Sequence, residues 1–163
     1  MAQNEVLAGK PALITKLTVE CGEWQALLNV LAQEEQALVN GEADLLPKLN
    51  ALKLAQLQTL NTLVRTRHDD LLVAGHSPDH SGMDAWLAQQ NKPAHTAPWE
   101  TLQSMEQQAQ AMNQRIGTLI ELRLSSTRQA LNVLVQAAKS QGGMYDQAGC
   151  AVTSNRGKPL TAA

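Results

Sequence analysis

The sequence predicts an all-α fold: a long antiparallel helical hairpin joined to a longer third helix, a three-helix bundle of coiled-coil type. Three observations predict it. The 163 residues include 25 Leu, 23 Ala and 17 Gln, all good helix formers without a branched Cβ. Val and Ile together number only 12 and Phe is absent, too little branched and aromatic material for a β-sandwich or a doubly wound sheet. Apolar residues also recur at intervals of three and four over segments much longer than a strand. A hydrophobic fraction of 44% is that of a folded chain rather than a disordered one. With no Phe, the core must be aliphatic side chains between closely spaced helices.

Residues 1–10 read as a short leader. The first helix is predicted over about 12–39, where Ile14, Leu17, Cys21, Trp24, Leu28, Leu31 and Leu38 form a stripe interrupted by Glu35. Pro11 suits a first helical turn, and Asn40-Gly41 is a stop signal. The second helix is predicted over about 44–73, with Asp44 as its cap and Pro47 in its first turn. Its stripe is Leu45, Leu49, Leu52, Gln56, Leu60 and Leu63, widened by Leu46, Leu54 and Leu57 and running on toward Leu71 and Leu72. The short loop between the two helices makes them antiparallel neighbours.

Composition changes between Val73 and Pro98, where Gly75, Pro78, Gly82, Pro93 and Pro98 cluster with three of the four histidines. Ser81-Gly-Met-Asp84 has capping-box spacing. It predicts a short helix at 82–90 that lays Trp86 against the hairpin and ends at Asn91-Lys-Pro93. The third long helix is predicted over about 98–141. Leu102, Met105, Ala109, Met112, Ile116, Leu119 and Arg123 make one stripe; Ile120, Leu124, Thr127, Leu131, Leu134 and Ala138 make a second that takes over through a stutter near Gly117. Gly142-Gly143 closes the helix. The domain organisation expected is thus a helical bundle at 1–143 and a flexible tail at 144–163.

At 1.5 Å per residue the first two helices would run about 40–45 Å and the third about 65 Å, so roughly 13 residues of the third would find no cover. The turns around Leu131, Val133, Leu134 and Val135 carry surplus apolar surface there, which wants a partner. Leu131, Leu134, Val135 and Ala138 are the positions predicted to dock a partner helix. Beyond them Tyr145, the single tyrosine, follows the Gly-Gly break. It is either a contact residue, burying area at little rotamer cost, or a helix stop folded back on the bundle. Val152 and Leu160 are further candidate anchors in a tail that orders on binding.

Other function classes find little support. A net charge of −2 without a concentrated basic segment lacks the electrostatic footprint of a nucleic-acid binder. No apolar run is long enough to span a bilayer, and the acidic, polar start is not that of a secretory signal. Cys21 and Cys150 make no disulfide framework; Cys21, on an apolar stripe, reads as a buried thiol. A cytoplasmic location follows. No phosphate loop, zinc-protease motif or nucleophile elbow is present, so no catalytic residue, cofactor or metal is assigned. His68, Asp69, Asp70, His76, Asp79 and His80 read as a polar loop, since Pro78 breaks the His76–His80 spacing. Asp69 and Asp70 would repel a phosphoryl group on His68. Arg115, Arg123 and Arg128 read as surface residues pairing with Glu106 or Glu121.

In order and spacing, several stretches together resemble the FlgN family, the bacterial flagellar export chaperones for hook–filament junction proteins. They are Leu27–Leu38 with Gly41, Asp44 and Leu45; Leu52–Leu63 with Lys53; Asn113–Ile120; Thr127–Leu134; and Tyr145-Asp146 with Gly149. The resemblance implies a non-enzymatic cytoplasmic chaperone without a cofactor. It would hold helical terminal segments of hook-associated proteins, prevent their premature assembly and deliver them to the flagellar type III export gate. It further implies substrate binding over about Thr127–Gly149, with Tyr145 docking the gate. The candidate partner-binding residues are therefore Thr127, Leu131, Leu134, Val135, Ala138, Tyr145, Asp146 and Gly149. Weak homodimerisation is a further expected association. The alternative is a helical scaffold or self-associating coiled coil.

Overall fold

The computed structural model describes the backbone of residues 2–142 and the side chains of 13–140. The chain divides into two units, 1–120 and 121–163. Four helices make up the described residues: α1 (Ala2–Asn40), α2 (Leu46–Val73), α3 (His80–Gln90) and α4 (Pro93–Gly142). The predicted tail at 144–163 lies outside the described residues.

Local chemistry sets the helix ends in the first unit. Gly41 takes a positive φ of 78°, and the Glu42 N–H closes back on the Ala37 carbonyl at 2.9 Å, a Schellman stop. One 3-10 turn, Ala43–Leu45, leads into α2. Asp44 sits in that turn, and α2 starts at Leu46 without a side-chain cap; the expected Asp44 cap is replaced by the turn's own backbone bonds. At the other end of α2, Gly75 (φ 80°) lets the His76 N–H reach the Leu71 carbonyl at 2.9 Å. The connection therefore doubles back at once.

Two helix starts differ from expectation. The α3 cap is Asp79, whose carboxylate accepts the Gly82 N–H and the Ser77 hydroxyl, both at 2.8 Å. The Ser81 capping box does not form, because Asp84 instead accepts the Trp99 indole N–H at 2.7 Å. Asn91, in the left-handed region at φ 49°, ends α3 as expected. Helix α4 begins at Pro93 rather than Pro98, since Pro93 already fills the first-turn role. Pro98 thus lies inside the helix, with no N–H to offer the preceding turn. The leader at 1–10 belongs to α1, leaving Pro11 within that helix.

Cross-helix contacts give the direction of each helix in the first unit. Lys16 pairs with Asp70, Glu20 with Arg67 and Glu34 with Lys53, so α1 and α2 run antiparallel. Cys21 bonds the Pro98 carbonyl and Glu35 bonds Arg115, so α4 runs parallel to α1. Leu13, Leu17, Leu71, Met83, Trp86, Leu87, Trp99 and Leu102 form one apolar cluster, with Trp86 buried against the hairpin as the sequence predicts. Leu27, Leu28, Leu31, Leu38, Leu60, Ala109 and Ile116 form the second. The α4 stripe from Leu102 through Ile116 packs in them as expected. The α2 stripe is narrower than expected: Leu45, Leu52, Leu54, Leu57 and Leu72 are exposed. Its inward line passes instead through Leu49, Leu60, Arg67 and Leu71.

Between the clusters lies a charged layer. Arg67 donates from Nε to Glu20 Oε2 at 2.9 Å and from Nη2 to Oε1 at 3.1 Å, with the two side chains 3% and 1% exposed. The guanidinium also lies 5.1 Å from the Trp99 ring centroid, within cation–π reach. Arg67→Ala is expected to cost about 3–5 kcal/mol in denaturant unfolding, because it strands a buried carboxylate; an apolar Glu20→Leu/Arg67→Met pair should recover most of that loss.

Glycines give a second expectation. Gly22 and Gly117 lie within helices, and a Cβ added at either would meet nothing within 4 Å. Gly22→Ala and Gly117→Ala should each raise stability by about 0.5–1 kcal/mol. Gly82→Ala should lower it, since its Cβ would fall 1.8 Å from the Ser77 carbonyl oxygen.

The Asp79 cap makes stability acid-sensitive. Its carboxyl is held below the ordinary aspartate range, first by the Gly82 N–H and then by the Ser77 hydroxyl. A depressed folded-state pKa gives stability that is present above the unfolded value, about 3.9, and lost as pH falls through the folded one. Asp79→Ala should lower the melting temperature at pH 7, with the gap to the parent narrowing as pH drops below 4.

Candidate functional site

Among the described side chains, those of helix α4 from residue 121 onward differ from every other helical stretch in how apolar residues are held. Each residue from 121 to 140 is exposed. Leu124 is 48% exposed, Leu131 58%, Leu134 67% and Val135 43%. At 100° per residue, Leu124, Thr127, Leu131, Leu134, Val135 and Ala138 share a sector about 100° wide, the breadth of a face that normally meets another element. The sequence forms this helix readily, being Leu, Ala, Gln and Arg with no internal Gly or Pro before Gly142. Leu122 and Val133, 62% and 63% exposed, lie on the opposite side.

The sequence-predicted site residues thus fall into two groups. Thr127, Leu131, Leu134, Val135 and Ala138 come together on one face of α4. The Thr127 hydroxyl donates to the Arg123 carbonyl at 2.9 Å, which satisfies it within the helix. Tyr145, Asp146 and Gly149 lie outside the described residues.

Of the residues expected to form one polar loop, His68, Asp69 and Asp70 lie in α2 and His80 opens α3, and His76 and His80 are drawn to separate neighbours. His76 hydrogen-bonds Gln89 at 3.2 Å, and His80 faces Glu106 at 3.3 Å while standing edge-on to Trp99 at 5.0 Å. Among the described residues, no group of three or more His, Cys, Asp or Glu gathers as a metal site. Glu106 therefore pairs with His80 rather than with an arginine. Burial, ahead of its neighbours' charges, lifts its carboxyl above the usual range. Arg115 reaches across to Glu35 on α1 at 2.9 Å instead of pairing along its own helix, and that bond holds the Glu35 carboxyl low.

Cys21 is half-buried, and its thiol donates to the Pro98 carbonyl at 3.3 Å. Burial first, and then the Glu20 charge, raise its pKa, which disfavours the nucleophilic thiolate. The first unit also has a groove lined by Trp24, Leu27, Leu31, Leu57 and Ala109. Its charged margins are already engaged, Lys53 by both oxygens of Glu34 and Glu106 by His80.

Sequence reasoning missed the Glu20–Arg67–Trp99 arrangement. Its signal was present: Glu20 stands three residues after Leu17 and four before Trp24, and Arg67 four before Leu71, so both charges lie on core stripes. Among the described residues no helix is long and apolar enough to cross a membrane.

No curated protein and no solved structure matches the chain significantly. The family model described as FlgN protein matches residues 9–153, nearly the whole chain. The chain belongs to the FlgN family, the non-enzymatic, cytoplasmic flagellar export chaperones that bind hook-associated proteins.

Proposed function

We propose that the chain holds helical terminal segments of hook-associated proteins on the α4 face formed by Thr127, Leu131, Leu134, Val135 and Ala138. There it keeps them from assembling prematurely, and it hands them to the cytoplasmic domain of the flagellar export gate. The observation that supports this reading is the exposure of Leu131 and Leu134, 58% and 67%, on one continuous sector of a helix. An amphipathic partner helix laid along that sector would withdraw both apolar faces from water. Covering the partner's stripe is also what would block its self-assembly, so holding and inhibition are one physical act. The interaction needs no cofactor, nucleic acid or membrane insertion. A shallow helix-on-helix contact also suits cargo that must later leave.

In this reading Tyr145, with Asp146 and Gly149, serves the export gate. A tyrosine supplies large contact area at a small entropic cost.

Truncation after Thr127 should abolish the 1:1 complex with a hook-associated protein in size-exclusion chromatography and calorimetry; unchanged affinity would overturn the site. Leu131→Asp/Leu134→Asp should weaken cargo binding on the order of 100-fold. Its thermal unfolding should match the parent, because neither leucine is buried. Tyr145→Ala should retain cargo affinity and lose binding to the gate domain in a pull-down.

A further inference from the structure

The charges of the chain are unevenly divided. Residues 1–120 carry thirteen acidic and eight basic side chains, whereas 121–163 carry two acidic and five basic. Within 122–142 the asymmetry is complete: Arg123, Arg128 and Lys139 are present and no acidic residue is. Arg128 and Lys139 project from the helix just beyond Val135, about 20–40° outside the apolar sector and about three turns apart along it. Both are exposed. One long edge of the docking face is therefore positively charged at two points, with Asn132 and Gln136 between them; Glu121, two turns before Arg128 on the same edge, lies beyond the N-terminal end of the apolar stripe.

From this pattern we infer that the α4 face selects an amphipathic protein helix whose apolar stripe is bordered by Asp or Glu, placed to meet Arg128 and Lys139. The inference rests on the proposed docking role of the same face and names the chemistry of its partner. Two other occupants fit less well. A second copy laid antiparallel with Arg128 opposite Lys139 would bring basic residues against basic residues, which is repulsive at close range; only a register that sets Glu121 against Lys139 would relieve this. A lipid surface calls for a strongly charged polar face and bulky anchors; here the far side of the helix carries Leu122 and Val133, and residues 121–140 include no aromatic residue.

Paired charges at the edge of an interface act mainly on partner choice and encounter rate, and salt screens them. Leucines in the middle of the face supply most of the holding energy. The two contributions can thus be separated by experiment.

The test uses full-length protein and a full-length hook-associated protein, with affinity measured by calorimetry from 50 to 500 mM NaCl. The parent complex should weaken several-fold across that range. Arg128→Glu/Lys139→Glu should bind about tenfold more weakly at low salt and show the opposite salt dependence, binding better as salt screens the repulsion, with unchanged helicity by circular dichroism. Replacing the acidic residues that edge the cargo's terminal helix by Lys should restore binding to that variant.

If the charge-reversed protein binds like the parent while Leu131→Asp/Leu134→Asp does not bind, the acidic-edge inference fails and the docking face stands. If neither variant loses affinity, the docking face fails with it. Co-sedimentation with phosphatidylserine-containing vesicles, abolished in Arg128→Glu/Lys139→Glu, would overturn the inference in favour of a membrane. Concentration-dependent dimerisation abolished by the same variant, seen in sedimentation velocity, would overturn it in favour of a second copy.

Discussion

The constraint on which the helical unit depends is the buried bond between Glu20 and Arg67. Both side chains are almost fully removed from water, so each charge is tolerable only while the other is opposite it. The surrounding core is aliphatic, largely Leu against Leu, and one leucine substitutes for another with little penalty. Sliding α2 along α1 by a turn would therefore disturb the apolar clusters modestly. It would also leave a guanidinium facing Leu17 or Trp24 and a carboxylate facing nothing. The pair fixes the register of the hairpin because that alternative is costly, not because the bond itself adds much stability. Lys53–Glu34 and Lys16–Asp70 agree with the same register from nearer the surface.

From this pair the layer extends into the other two helices. Trp99 of α4 lies against the Arg67 guanidinium. Its indole N–H is held by Asp84 of α3, and its ring meets His80, which faces Glu106. All four helices thus contribute to one polar seam between two apolar clusters. The short α3 owes its place to this seam as much as to Trp86. Its N-terminal cap at Asp79 and the tight Ser77–Gly82 approach orient it so that His80 and Asp84 both point at the indole. Trp99 is one of only three tryptophans in a chain without Phe, and its ring and N–H give the seam a face for Arg67, an edge-on contact for His80 and a donor for Asp84.

Much of this was legible in the sequence, and the parts that were not share a cause. The period of Leu102, Met105, Ala109, Met112 and Ile116 gave the inward face of α4, because along that helix apolar positions and buried positions coincide. On α2 they do not. Leu54, Leu57 and Leu72 are as apolar as Leu49 and Leu60, and only packing decides which of so many leucines turns inward. A rule that follows apolar residues also steps over Arg67, the residue that defines the buried line. Helix starts failed for a related reason. Asp79, Ser81 and Asp84 are all competent caps, and the choice among them was made by Trp99, a residue distant in sequence that claims Asp84. The exposed stripe of α4 was readable because nothing competes for it: the line from Leu124 to Ala138 remains as the helical period draws it.

The two units put similar side chains to opposite uses. In 1–120 the core leucines are buried and the charges near them are paired, a state that resists both unfolding and self-association. In the described part of 121–163 the leucines are exposed. Exposed apolar stripes invite like to join like, and what would oppose this on α4 is the preponderance of basic charge: beyond Glu121 the described helix carries Arg123, Arg128 and Lys139 and no acidic residue. Two such stretches set basic against basic would repel, while a partner with carboxylates beside its stripe would be attracted. The chemistry that would recognise cargo is thus the same chemistry that keeps the unloaded protein apart from its copies. A face with mixed charges would serve the first purpose and fail the second, since a mixed edge can pair with itself in reverse. In the proposed reading, the bias toward Arg and Lys beyond Glu121 would keep an uncovered apolar helix available to such a partner.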